Sequence, residues 1–145
     1  MNKDCKNIVM LYENVMQQPT MTVDKDGNKT WRLNGKYHRE DGPAIEYVDG
    51  SKAWFLHGKL HREDGPAIEY ANGTKVWYLH GMLHREDGPA IEYVNGDKAW
   101  YLNDKKYKDI FEWAEALLKL KGIMNPSDDE INSKVQQVTA ASILD

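Results

Sequence analysis

Trp31, Trp54, Trp77 and Trp100 stand at a constant spacing of 23 residues, and His38, His61 and His84 keep the same interval. So do the Gly-Pro pairs at 42/43, 65/66 and 88/89. Strict internal periodicity of this length points to stacked supersecondary units, none of which buries its apolar face alone. The array comprises units 31–53, 54–76 and 77–99, preceded by a half unit from residue 20 and followed by a half unit to residue 107. At 145 residues it makes one ordinary domain.

Inside a unit the punctuation is that of hairpins. Asn95-Gly96, with Asn72-Gly73 and Asp49-Gly50 as counterparts, is a strong short-range hairpin signal. Taken as a two-residue loop with both residues at positive φ, it sets Val94 opposite Asp97, Tyr93 opposite Lys98 and Ile91 opposite Trp100. Ile91, Tyr93, Trp100 and Leu102 then share one face. A second reversal is predicted at His80-Gly81 and its counterparts Asn34-Gly35 and His57-Gly58. The Arg-Glu-Asp-Gly-Pro segment that follows reads as a loop, because proline cannot donate to a strand ladder. Each unit thus supplies about two strands, and equivalent residues of successive units lie ~10 Å apart. The fold class is mainly β with helical caps (α+β): an elongated antiparallel sheet of β-hairpins with Trp31, Trp54, Trp77 and Trp100 as a structural ladder in its core. An uncovered apolar face would be a large exposed patch, so helices, a second copy in a homodimer or a partner should cover it.

Residues 1–19 read as an N-terminal helical cap: Ile8, Leu11, Tyr12, Val15 and Met16 trace one stripe and Pro19 stops it. Residues 108–145 form the C-terminal cap. Asp109 and Glu112 have the form of a capping box, Ile110, Trp113, Ala114, Leu117 and Leu118 make an apolar stripe ending at Gly122, and a second helix starts at Ser127 with Glu130 as reciprocal cap.

The repeat resembles MORN-type hairpin repeats. It is more similar to the Trp-Tyr-x-Asn-Gly variant of antitoxin-like bacterial proteins, and to phage and bacterial proteins built of His-Arg-Glu-Asp-Gly-Pro-Ala units. The resemblance covers residues 21–107. It implies a scaffold or interaction role, as in an antitoxin or a phage-carried inhibitor, with no catalytic residues to transfer. The usual MORN unit has Gly-x-Gly after its first turn where this chain has His-Arg-Glu-Asp-Gly-Pro, so the lipid binding proposed for that family is not expected here.

Composition narrows the function. With 23 acidic against 19 basic side chains and a net charge of -4, the chain lacks the excess of clustered cations that tracks a nucleic-acid backbone. No apolar run approaches the ~20 residues of a membrane span. A lone Cys5 and a polar start lead to the expectation of a cytoplasmic protein.

The threefold His-Arg-Glu-Asp-Gly motif admits two readings. In one it is architectural, with Asp-Gly-Pro turning the chain while arginine and glutamate pair across neighbouring units. In the other, His38, Arg39, His61, Arg62, His84 and Arg85 grip a partner or a phosphorylated ligand along one edge. No metal or cofactor is expected, because equivalent histidines ~10 Å apart cannot share one ion. Threefold repetition also does not suit the single asymmetric arrangement that catalysis requires. Phe55, Tyr78 and Tyr101, expected to point away from the tryptophans, are candidate contact residues, and Lys52, Lys75 and Lys98 a solvated stripe. The leading expectation is a non-enzymatic protein-binding module. The alternative is a sponge for a nucleotide or other phosphorylated signalling molecule.

Overall fold

The computed structural model describes residues 18–143. The N-terminal cap helix expected from the sequence lies outside the described residues, apart from its last two positions. The chain runs through β1 (Thr20–Val23), β2 (Lys29–Leu33), β3 (Lys36–Tyr37), β4 (Ile45–Glu46), β5 (Lys52–Ala53), β6 (Phe55–Leu56) and β7 (Lys59–Leu60). It continues through β8 (Ile68–Glu69), β9 (Lys75–Val76), β10 (Tyr78–Leu79), β11 (Met82–Leu83), β12 (Ile91–Glu92), β13 (Lys98–Leu102) and β14 (Lys105–Tyr107). Two helices close it, α1 (Ile110–Leu120) and α2 (Asp128–Ala141).

The main sheet is an antiparallel meander ordered β1-β2-β4-β5-β8-β9-β12-β13-β14, with β3 also on β2. Beside it stand the short hairpins β6-β7 and β10-β11. A whole unit such as 54–76 therefore holds four two-residue strands rather than two longer ones, and the chain leaves one ladder for the other at its tryptophan. Trp54 and Trp77 mark the corners: their N–H groups donate to Ala67 and Ala90 at 2.8 Å, and their carbonyls accept from His61 (3.0 Å) and His84 (3.2 Å).

The side hairpins stack on one another through isolated backbone bonds. Arg62 N–H donates to the Tyr78 carbonyl at 3.1 Å and Gly81 N–H to that of Leu60 at 2.8 Å, as Arg39 and Gly58 do to Phe55 and Tyr37.

The two turns of a unit differ from the expected assignment. The tight two-residue loop is the one at His57-Gly58 and His80-Gly81. Both residues have positive φ there (50° and 81°; 52° and 84°), and Leu56 pairs with Lys59 and Leu79 with Met82. At Asn95-Gly96 only the glycine has positive φ, 90°. Gly96 N–H donates to the Tyr93 carbonyl and Tyr93 N–H to that of Asp97, both at 2.9 Å. This leaves Val94, Asn95 and Gly96 in a three-residue loop whose glycine closes it as a bulge. The Asn95 side chain stabilises it by accepting from Asp97 N–H at 3.0 Å.

Register consequently moves by one residue on the returning strand. Tyr93 lies opposite Asp97, Glu92 opposite Lys98 and Ile91 opposite Ala99. Ile91 and Trp100 therefore have opposite parity across the sheet, and the expected common face of Ile91, Tyr93, Trp100 and Leu102 is divided. Tyr93, with its equivalents Tyr47 and Tyr70, is exposed.

Ala44, Ala67 and Ala90 are wholly buried, whereas the four ladder tryptophans are only half buried. The indoles lie at the margin of the core rather than at its centre, and Trp100 packs against the buried cluster around Trp113. Each corner brings backbones close together, and a methyl group fills the space there.

The largest side chains buried outright are those of Trp113 and Leu117 in α1, which with Leu102, Ala114 and Val138 form the core of the C-terminal cap. Asp109 caps α1 by accepting from Phe111 and Glu112 N–H, while Glu112 accepts from Lys108 N–H instead of returning to Asp109. The box expected there is thus only half formed. α1 ends in a Schellman motif, with Ile123 N–H donating to Leu118 and Gly122 N–H to Lys119. Ser127 and Glu130 make the full capping box of α2.

Candidate functional site

The repeated histidines and arginines project into the loops between β3 and β4, β7 and β8, and β11 and β12. Their partners decide between the two readings of the motif. His38, His61 and His84 are buried, and the Nδ1 of each accepts a backbone N–H from the following unit: His57 at 3.0 Å, His80 at 3.0 Å and Asn103 at 3.1 Å. An accepting Nδ1 leaves the proton on Nε2. That nitrogen faces the motif's own glutamate, 3.7 Å from Glu40 and from Glu63 and 3.3 Å from Glu86. The imidazole is a joint between units.

Each arginine is clamped inside its own unit. Arg62 Nε donates to Asp64 at 2.9 Å, while its Nη1 donates to the Pro66 carbonyl at 3.2 Å and to Glu69 at 3.0 Å. Its guanidinium carbon lies 4.1 Å from the centroid of the Trp54 ring. Arg39 on Trp31 and Arg85 on Trp77 repeat the arrangement at 4.0 and 3.9 Å. The expected pairing of arginine with glutamate across neighbouring units does not occur. The loop folds the guanidinium back onto its own indole, within reach of its own Asp and Glu. Hydrogen bonding and the charge of the arginine hold the Asp41 and Asp64 carboxyls below their usual range.

A second side-chain joint between units carries no repeated letter in the sequence. Asn28 Oδ1, Ser51 Oγ and Thr74 Oγ1 accept the backbone N–H groups of Val48, Ala71 and Val94, at 3.0, 2.9 and 3.2 Å. These acceptors share one unit position but differ in residue type, so a search for identical letters passes over them. Among the described residues no buried side-chain nitrogen or oxygen lacks a partner.

With the cations committed, what faces solvent is acidic. The side chains of Glu40, Asp41, Glu63, Asp64 and Asp87 are more than 80% exposed, while those of Arg39, Arg62 and Arg85 are 16 to 23% exposed. Between successive loops the surface sinks into grooves. One, of about 730 Å³, has Trp54, Leu56 and Pro43 within it and the loop residues 39–42 and 61–64 along its sides. The next, of about 480 Å³, repeats this with Trp77, Leu79 and Pro66 between residues 62–65 and 84–87. A phosphate entering either groove meets four loop carboxylates and two guanidiniums already neutralised by their own units, so the field opposes it.

Phe55 and Tyr78 are half buried on the side hairpins, and Tyr101 is half buried on β13 of the main sheet. Phe55 packs on Tyr37 with centroids 5.3 Å apart, and burial raises the Tyr78 phenol above its ordinary value, with Tyr70, Asp104 and Tyr101 adding to the shift. The exposed aromatics of the sheet are Tyr47, Tyr70 and Tyr93 beside the wide turns, flanked by the exposed Val48 and Val94, and Phe111 of α1 is exposed as well. Sequence reasoning missed them because the two-residue loop placed Tyr93 on the apolar face. Lys52, Lys75 and Lys98 are exposed, as expected of a solvated stripe.

Among the described residues no helix is long and apolar enough to cross a membrane, and no three His, Cys, Asp or Glu side chains converge on a metal position. No protein-family model matches the chain, and no curated protein does.

Proposed function

We propose that the chain is a non-enzymatic protein-binding array whose 23-residue unit is the period of recognition as well as of folding, and whose grooved loop edge meets the partner. One observation carries this reading. The motif's repeated histidines and arginines spend their polar atoms on the array itself, while the side chains of Glu40, Asp41, Glu63, Asp64 and Asp87 stay more than 80% exposed beside indole, leucine and proline. A rigid scaffold displaying charged rims around apolar recesses suits macromolecular recognition, in which buried aromatic anchors supply affinity and rim charges supply specificity. The arrangement favours this over a sponge for phosphorylated molecules. A role like that of an antitoxin or a phage-carried inhibitor rests on the resemblance of the repeat alone.

The test is affinity capture from host lysate with quantitative mass spectrometry, comparing the unaltered chain with a Glu40→Gln/Glu63→Gln variant of equal thermal stability. One protein enriched by the first and depleted with the second is expected. Equal recovery on both, or copurification of a stoichiometric nucleotide with no protein partner, overturns the reading.

A further inference from the structure

We infer that the two grooves receive one continuous basic segment of a partner protein, in polyproline II conformation, with lysine or arginine at every third residue. This rests on the protein-binding reading above and names the chemistry of the partner.

The first support is charge complementarity. Glu40, Asp41, Glu63 and Asp64 rim the larger groove at more than 80% exposure. Asp41 and Asp64 are each bonded to an arginine, whereas Glu40 and Glu63 have only a histidine Nε2 at 3.7 Å. A cation placed in the larger groove therefore gains two carboxylates whose capacity is nearly unused. Its aliphatic stem can lie on Trp54, Leu56 and Pro43 within the same groove. A cation in the next groove gains Glu63, since Glu86 there is already paired with Lys121.

Spacing is the second support. Equivalent strands β5 and β9 are separated by β8 alone, so the unit repeat along the sheet is twice the strand spacing, ~9.6 Å. A polyproline II helix rises ~9.3 Å in each three-residue turn and returns every third side chain to the same side. An extended strand covers a similar length in three residues but presents the third side chain to the opposite side. An α-helix rises only ~5.4 Å per turn. The left-handed three-residue helix is thus the backbone that keeps its cations in step with successive grooves. It also enters without unsatisfied hydrogen bonds and with little entropy left to lose.

The probe is a fluorescein-labelled synthetic peptide of repeated Arg-Pro-Pro triplets, titrated with the whole chain at low salt and followed by anisotropy. Its control has the same composition with the arginines gathered in one block. The triplet peptide is expected to bind about tenfold more tightly than the block peptide, and Glu40→Gln/Glu63→Gln to remove about that factor. A Gln-Pro-Pro peptide should not bind.

Equal affinity for triplet and block peptides would show charge attraction without register and overturn the inference, as would no binding of either. If that happens while lysate capture still yields a partner lost with Glu40→Gln/Glu63→Gln, only this assignment fails and the protein-binding reading stands. If the variant retains full triplet affinity, the segment lies elsewhere and the groove assignment falls.

Discussion

The Trp113 ring packs 5.0 Å, centroid to centroid, from that of Trp100, tilted by 50°. In units 31–53, 54–76 and 77–99 the ladder indole carries an arginine. After Trp100 the corresponding residue is Lys108, and Tyr107 stands where the histidine would be. α1 supplies the missing cover with an indole of its own, whose Nε1–H donates to the Arg85 carbonyl at 3.3 Å. The last unit is closed by a helix that occupies the place of the next one, as a capping element must.

Trp113→Ala should therefore destabilise the chain by about 3–5 kcal/mol, the usual range for emptying a large buried aromatic site. Trp113→Phe should lose less, because it keeps the contact and gives up only volume and one hydrogen bond. Urea unfolding followed by circular dichroism measures both, and similar midpoints for the Ala variant and the unaltered chain would show that α1 is not the lid.

His61 tests the joint between units. His61→Ala strands the His80 N–H and opens space around it, at about 1–3 kcal/mol for the unpaired donor alone. His61→Asn carries an amide oxygen that can accept in the place of Nδ1, so part of the loss should return. Hydrogen exchange at the His80 amide should quicken in the Ala variant and recover in the Asn one. An unchanged rate would mean that the bond carries no protection.

Arg62→Lys keeps the charge but removes the flat fork that reaches Asp64, Pro66 and Glu69 while lying on Trp54. A loss of about 1–2 kcal/mol is expected, from the stacking and the forked bonds together. Because this arginine is assigned to the scaffold, the variant should keep its affinity for a partner once its stability is allowed for. Binding lost without any change in melting temperature would return Arg62 to the interface.

Glu86 reports on acid stability. Lys121, at the C-terminal end of α1, pairs with Glu86 and holds its carboxyl below the ordinary value, with His84 adding to the effect. A carboxylate depressed in the folded state binds its proton more readily when unfolded. Its contribution is thus complete above the ordinary glutamate pKa and fades as pH falls through the lower folded value. Melting temperature should drop as pH falls below the ordinary glutamate pKa of about 4.3, and Glu86→Gln should flatten part of that slope. Parallel profiles would mean that the pair does not couple the cap to the array. The side chain is 40% exposed, so the effect is modest.

Much of this is legible in the sequence. The spacing of Trp31, Trp54 and Trp77 announced stacked units. The Gly-containing dipeptides marked both reversals, and Ser127 with Glu130 marked the start of α2. These are local signals: a backbone reversal or a cap needs particular residues whatever surrounds it. Less was legible about faces and sites. The Asn95-Gly96 pair suits two hairpin geometries, and the one adopted depends on Asn95 accepting from Asp97. That choice shifts register by one residue and turns Tyr93 to solvent. The arginines look like ligands in sequence because their partners, Glu69 for Arg62 and Glu92 for Arg85, are brought near only when the loop folds back.

The amino-acid sequence by itself determined where the chain reverses and where the helices of the C-terminal cap lie, because each depends on contacts among near neighbours in the chain. Tertiary structure alone decided that the histidines join units, that the arginines lie on indoles and that the acidic side chains are left to face outward. Polar side chains go to whichever partner the folded backbone sets within hydrogen-bonding distance, and stacking between units is what sets those distances.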